Sequence, residues 1–306
     1  MRKLLLMAAM IAASLWAHAQ YDVHYSQFMH NKLAFNPAFA GNNEVLTFSA
    51  LYRNQWLGID GAPTTVNLHA HTPFLANRGG IGLSLISDRI GRVNTSIAGL
   101  SYAYRMKLND ESTLNVGLQM KIEHSRIDWT DVNPLDQGDG QVPLFATNKT
   151  NPNFGVGIML SNAKYYVALS APTLLRSTIY TDDPLSGVSL SDHRSYYLMG
   201  GFLARLSRVV KLKPEVLISY NPSAPFELAI NGSVIFFDQF WLGAGYRLGD
   251  AIDGLVLFQV SNEFRVGFAY DYTLTKLQQF SNGSIELMLD YRFQKKGKRI
   301  NNIRFF

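Results

Sequence analysis

The chain of 306 residues has no cysteine, and that absence excludes disulfides, thiolate metal sites, cysteine nucleophiles and lipid attachment to a cysteine. Charge is also scarce. Asp, Glu, Lys and Arg make up 17% of the residues, against roughly 25% in an ordinary soluble domain, while 47% are apolar. Beyond the first residues no window reaches the length of uncharged apolar sequence that a spanning helix needs, about 20 residues. No transmembrane helix is therefore expected in the body of the chain. No P-loop, G-x-G-x-x-G or G-x-S-x-G arrangement occurs either.

The formal charge of +5 first suggests an anionic partner, but its distribution says otherwise. Arg2 and Lys3 at the front, and Lys295, Lys296, Lys298, Arg299 and Arg304 at the end, account for seven of the 28 basic residues. The other 21 face 23 acidic residues, so the body is close to neutral and a basic-patch nucleic-acid binder is excluded on composition.

Arg2-Lys3, the uncharged stretch Leu4 to Ala17 and the small-residue run Ala17-His18-Ala19 have the three parts of a secretory signal peptide. Cleavage is expected after Ala19. Residues 1–19 are read as leader, 20–44 as an N-terminal segment, 45–293 as the main domain and 294–306 as a basic tail. The tail reads either as a contact for acidic partners or anionic headgroups, or as a solvated extension.

From Val45 onward the dominant period is two, the period of a strand whose alternate side chains face opposite sides. Leu114, Val116, Leu118, Met120 and Ile122 alternate with Asn115, Gly117, Gln119, Lys121 and Glu123. The strips Phe264 to Tyr272 and Ile285 to Phe293 repeat the pattern. These runs are about ten residues long, matched to the roughly 9–11 that a tilted strand needs to cross a bilayer. Fourteen are expected, at 45–56, 63–72, 80–87, 95–108, 113–124, 153–161, 164–171, 194–205, 209–220, 226–236, 239–247, 254–261, 263–273 and 284–293. The fold class is thus all-β, a transmembrane antiparallel up-and-down barrel of about 14 strands, the boundary tolerance admitting 12–16. With strand one running outward, the turns near 109–112, 162–163, 206–208, 237–238 and 262 fall on the periplasmic side, and the long loops 125–152 and 172–193 on the outside. The turn 73–79 is longer than that pattern wants. The pairs Tyr52 and Trp56, Tyr102 and Tyr104, Tyr196 and Tyr197, Phe240 and Trp241, Tyr270 and Tyr272, and Tyr291 and Phe293 are read as interfacial girdles.

Gly82, Gly99, Gly117, Gly155, Gly157, Gly243, Gly245 and Gly267 all fall on the polar, inward phase. Glycine in a strand marks either a tight bend or a close approach by another backbone. The second alternative makes residues 20–44 a plug inside the lumen. His69 and His71 stand two apart on one strand face, as metal ligands could, but no third ligand is tied to them by spacing. No metal, cofactor or catalytic residue is expected, and the protein is read as no enzyme.

Residues 24–41, HYSQFMHNKLAFNPAFAG, resemble the N-terminal signature of the PorP/SprF family of type IX secretion system membrane proteins. Tyr52-Arg53-Asn54-Gln55-Trp56, Gly58, Gly61-Ala62-Pro63-Thr64, His71-Thr72-Pro73, Tyr196-Tyr197-Leu198-Met199-Gly200-Gly201, Leu212-Lys213-Pro214, Trp241-Leu242-Gly243 with Tyr246-Arg247, Tyr270-Asp271-Tyr272 and Gly283-Ser284-Ile285-Glu286 continue the likeness. The chain departs from it in having Ser284-Ile285-Glu286 where the family tends to have Ser-His-Glu, and in its longer basic tail. The resemblance implies an outer-membrane component of secretion or gliding machinery. It would act as adaptor or anchor, its partners being outer-membrane lipids, secretion-system lipoproteins or motor-associated periplasmic proteins, and exported adhesin-like cargo held through its C-terminal domain. The alternative is a passive channel or hydrophobic-solute transporter. Tyr25, Ser26, Gln27, Asn36, Pro37, Arg53, Gln55 and Trp56 are the residues expected to bind a partner or pack the plug.

Overall fold

The computed structural model describes residues 23–43, 45–75, 78–129, 146–175, 177–179, 190–192, 194–222 and 224–293. The expected leader and basic tail lie outside the described residues. Alternation of apolar and polar side chains over long runs yields fourteen barrel strands: β1 (Thr47–Asn54), β2 (Thr64–Phe74), β3 (Gly79–Ile90), β4 (Val93–Lys107), β5 (Thr113–Ile127), β6 (Thr147–Ser161), β7 (Tyr165–Ala171), β8 (Tyr196–Phe202, resuming at Ala204–Arg205), β9 (Val210–Tyr220), β10 (Glu227–Phe236), β11 (Phe240–Arg247), β12 (Ala251–Gln259), β13 (Phe264–Thr273) and β14 (Ser284–Arg292). Each pairs antiparallel with its neighbours in sequence. β8 pairs with β9 from Tyr196↔Tyr220 to Gly201↔Glu215, and β1 with β14 from Thr47↔Arg292 to Asn54↔Ile285. The sheet therefore closes on itself and leaves no edge, the condition for a sheet whose backbone must satisfy itself in lipid.

The burial pattern is inverted relative to a soluble domain. Leu118, Met120 and Ile122 of β5 are exposed, whereas Asn115, Gln119 and Glu123 are buried. The same inversion places Leu287 and Leu289 outside and Glu286 and Asp290 inside. No helix among the described residues is long and apolar enough to cross a membrane; the strands cross it.

Two expectations need correction. The outside loop expected at 125–152 is shorter, because β5 continues to Ile127 and β6 begins at Thr147. The register explains why the sequence hid this. Across β3 to β6 the outward row Leu83, Leu100, Met120, Phe154 is apolar, but the later rows Ser87, Ser96, His124, Thr150 and Arg89, Asn94, Arg126, Asn148 are polar. The strands project past the apolar band, so pairing outlasts the apolar signal. Over the same stretch the inner phase turns apolar, with Ile86, Ile90, Val93 and Ile97 facing inward. The second correction concerns the girdles. Tyr197 and Trp241 are buried, because consecutive strand residues point to opposite faces; Tyr52, Tyr102, Tyr104, Tyr196, Phe240, Tyr270, Tyr272, Tyr291 and Phe293 are exposed on the outside.

The outward face of β5 should respond differently to charge inside and beyond the apolar band. Leu118→Arg, in the middle of the apolar band, is expected to cost about 2–4 kcal/mol of folding free energy in vesicles. His124→Arg, on the same face beyond the band, should stay within about 0.5 kcal/mol of wild type. Denaturant titration in lipid vesicles measures both, and equal costs would contradict the placement of the band.

Candidate functional site

Residues 23–43 run through the inside of the barrel and then turn into β1. The segment is too short and irregular to hold itself. It contains a 3₁₀ turn at Phe28–His30, one α-helical turn at Lys32–Phe35 and a second 3₁₀ turn at Pro37–Phe39. Its turns satisfy part of their own backbone, as in His30 N–H to the Gln27 carbonyl and Ala40 N–H to that of Pro37, and side chains of the wall meet further groups, as buried groups require. Ser170 Oγ donates to the Phe35 carbonyl (2.8 Å), Asn115 Nδ2 to that of Ala38 (3.1 Å) and Arg105 Nη2 to that of Gly41 (2.9 Å).

Arg53 of β1 is the centre of the contact. It is 1% exposed. Its Nη1 donates to Ser26 Oγ (2.7 Å) and to Glu286 Oε2 (3.2 Å), and its Nη2 to Asp271 Oδ2 (2.7 Å). Ser26 Oγ donates in turn to Asp271. Glu286, fully buried on β14, also accepts the backbone N–H groups of Ser26 (3.0 Å) and Gln27 (2.8 Å). Arg247 extends the network to Asp250 (2.7 Å), Glu227 (3.7 Å) and Asp271 (3.7 Å), and His24 Nδ1 lies 2.7 Å from Glu227. Charges this deep are tolerable only when paired and hydrogen-bonded. Here one guanidinium ties three strands, β1, β13 and β14, and the inner segment together.

At the other end of the segment the anchor is a shape fit. Asn36 Oδ1 accepts the N–H of Ala38 (2.8 Å), capping the Pro37–Phe39 turn, and its Nδ2 donates to the carbonyls of Ile158 and Leu169 (both 3.2 Å). Asn36 reaches the wall because Gly157 has no side chain; a Cβ there would strike Asn36, and one at Gly117 would strike the Pro37–Ala38 backbone. Of the eight inward glycines, Gly82, Gly117, Gly157 and Gly267 face the inner segment, and Gly99, Gly155, Gly243 and Gly245 face other wall residues. Aromatic edges complete the packing, Phe35 against Tyr25 (5.8 Å) and Tyr197 (5.3 Å), and Phe39 against Tyr166 (5.7 Å between ring centres).

The residues singled out in sequence thus divide. Tyr25, Ser26, Gln27, Asn36 and Pro37 lie in the inner segment, and Arg53 meets it at Ser26. Tyr25 OH accepts from Asn67 Nδ2 (3.3 Å). Gln55 and Trp56 stand apart from this cluster in the connection after β1: Gln55 N–H donates to the Pro63 carbonyl (2.9 Å) and Trp56 N–H to Ser284 Oγ (3.1 Å). In the sequence Asp271, Arg247 and Glu286 appear within the motifs of the resemblance, and Glu227 and Glu286 as carboxylates on separate strands whose pairing it does not show; none is among the residues expected at the site. Their signal was there, a charged residue on the inward phase of a strand, which must find an opposite charge.

The inner segment divides the lumen. On one side is a cavity of about 260 Å³ lined by Tyr25, Phe35, Ile86, Ile97, Lys121 and Tyr197 among others. On the other is a cavity of about 80 Å³, at the end where β1 begins and β14 stops, lined by His30, Lys32, Lys213, Trp241, Arg265 and Arg292 among others. Lys32 pairs with Glu215 (3.3 Å) and sits 4.1 Å from the centre of the Tyr166 ring. Burial pushes its ammonium down to about 7, while Glu215 acts in the opposite direction. Burial, followed by the charges of Arg265 and Lys213, holds His30 well below the usual imidazole range. His69 and His71 line this second cavity, and among the described residues no group of three or more acidic or imidazole side chains could hold a metal ion.

A family model described as type IX secretion system membrane protein PorP/SprF matches residues 17–291. No individual curated protein matches the chain. Similar solved structures include the P. putida toluene transporter TodX (8% identity, TM-score 0.49, covering 87% of this chain and 94% of that one). The CymD monoaromatic hydrocarbon channel is similar at 13% identity and TM-score 0.48, over 91% of this chain and 95% of that one. A Pseudomonas aeruginosa FadL homologue is similar at 13% identity and TM-score 0.47, over 86% and 94%. At these values none of them says what this chain binds or carries.

Arg53→Met should leave Asp271 and Glu286 buried without their main cation and cost about 3–5 kcal/mol of stability. Adding Asp271→Asn and Glu286→Gln should recover part of that loss, because the stranded charges go with the partner. Denaturant titration of the single and triple variants checks both. A single variant within about 0.5 kcal/mol of wild type would contradict the role given to Arg53.

Proposed function

Because this chain belongs to the PorP/SprF family of type IX secretion system membrane proteins, we propose that it works as a closed docking barrel in the outer membrane. In this reading it anchors exported surface proteins and the periplasmic parts of the machinery, and it conducts no solute. The expected leader, residues 1–19, would deliver it across the inner membrane and be removed after Ala19. The projecting ends of β3 to β6 and the connections beside them would meet cargo. The opposite end, where the N-terminal segment enters β1 and the basic tail begins, would meet secretion-system lipoproteins or motor-associated proteins.

The observation that supports the reading is the filling of the lumen by residues 23–43. A diffusing segment would not need two buried carboxylates, two arginines and glycine-lined contact surfaces to receive it. A plug that is part of the fold does, because each buried polar group must find its partner within the barrel. The channel alternative draws on the apolar cavity beside Ile86 and Ile97, but Tyr25 and Phe35 of the inner segment line that cavity and stand between it and the far end.

The test uses the full-length protein in two assays. Purified under mild detergent from its own envelope, it should bring down secretion-system lipoproteins or proteins with a C-terminal export domain, identified by mass spectrometry. In planar bilayers it should show no steady conductance. A stable open-pore conductance with solute-dependent uptake, and no co-purified machinery, would favour the channel instead.

A further inference from the structure

The smaller cavity is basic in a way that neither packing nor the docking role explains. Among the described residues, four basic side chains gather at it, Lys32, Lys213, Arg265 and Arg292, against two carboxylates. Lys32 and Lys213 share Glu215, at 3.3 and 2.8 Å. Arg265 and Arg292 share Asp290, Arg265 in direct contact and Arg292 at 3.9 Å. Two guanidinium groups on the one carboxylate of Asp290 leave positive charge at the cavity, where a second anion is favourable.

A second observation is independent of the charge count. Three nitrogens on residues lining this cavity are buried and make no hydrogen bond: His30 Nε2, His71 Nδ1 and Arg265 Nε. Buried polar atoms without partners call for one, and an occupant of the cavity would supply it to all three at once. One acceptor, Asp290 Oδ1, is in the same position. The cavity of about 80 Å³ has room for several waters at about 10–15 Å³ each, or for one tetrahedral or planar oxyanion. It lies at the end of the barrel, with His71 and Arg292 only partly buried at its rim.

We propose that this cavity is an oxyanion-binding site, taking a phosphate or carboxylate group between Arg265, Arg292 and the two histidines. Guanidinium groups suit such ligands because their N–H donors match the spacing of two oxygens. A monoprotonated phosphate would in addition supply the donor that Asp290 Oδ1 lacks. The ligand is either a free anion or the headgroup phosphate of a lipid presented at the barrel end.

Trp241 lines the cavity and reports on it. Inorganic phosphate is titrated into the full-length protein in detergent at constant ionic strength, while tryptophan fluorescence and melting temperature are followed. In a parallel arm, short-chain phosphatidylglycerol is compared with phosphatidylcholine. Saturable binding of phosphate identifies a free anion; a response to phosphatidylglycerol alone identifies a lipid source. Arg292→Gln, at the rim, should weaken the response at least five-fold, and Arg89→Gln, exposed on the outward face of β3, should leave it unchanged. Arg292→Lys, which keeps the charge, should retain measurable binding and serves in its place if Arg292→Gln does not fold. Absence of saturable binding in both arms, or equal effects of Arg292→Gln and Arg89→Gln, overturns the proposal.

Discussion

Arg53 and the carboxylates of Asp271 and Glu286 set the terms for the rest of the molecule. A barrel that must show lipid an apolar exterior has to put its ionised residues inside, and there they cannot be left to water. The guanidinium lies between β1, β13 and β14, and Ser26 and Gln27 supply the remaining hydrogen bonds to the two carboxylates. Removing the inner segment would strip those donors from Glu286. Removing Arg53 would strand two acids. Wall and segment are therefore mutually dependent, and the N-terminal residues are part of the fold more than an appendage to it.

The glycines of the inward phase belong to the same logic. Gly117 and Gly157 give up side-chain contact so that the turn at Pro37–Phe39 can lie directly against strand backbone. In exchange the wall offers Asn115 and Ser170 as donors to the carbonyls of that segment. What results is a partition of the lumen into an apolar cavity on one side and a basic one on the other. The inner segment contributes residues to both cavities, Tyr25 and Phe35 to the first and His30 and Lys32 to the second.

Much of this was legible in the sequence, and the rest was hidden for identifiable reasons. The strand set could be read because lipid on one side and lumen on the other enforce a strict period of two, as in Leu114 to Glu123. The ends of β5 and β6 could not, because past the apolar band residues such as His124 and Arg126 carry no apolar signal although the strands go on pairing. Tyr197 and Trp241 were assigned to the wrong face by treating clusters of aromatics as girdles; strand parity, which was also in the sequence, puts them inside. Arg53, Asp271 and Glu286 all fall in motifs of the resemblance, but only Arg53 was expected at the site, since which inward acid meets which inward cation depends on the register between β1, β13 and β14. That register is long-range information that no local spacing carries.

Hydrogen–deuterium exchange on the full-length barrel in detergent measures directly whether residues 24–41 are part of the fold. The amides of Ser26 and Gln27, bonded to Glu286, and of Ala38 and Ala40 in the following turn are predicted to exchange as slowly as those of β13 and β14. Exchange of this segment within seconds, at the rate of an unstructured chain while the strands stay protected, would contradict the account.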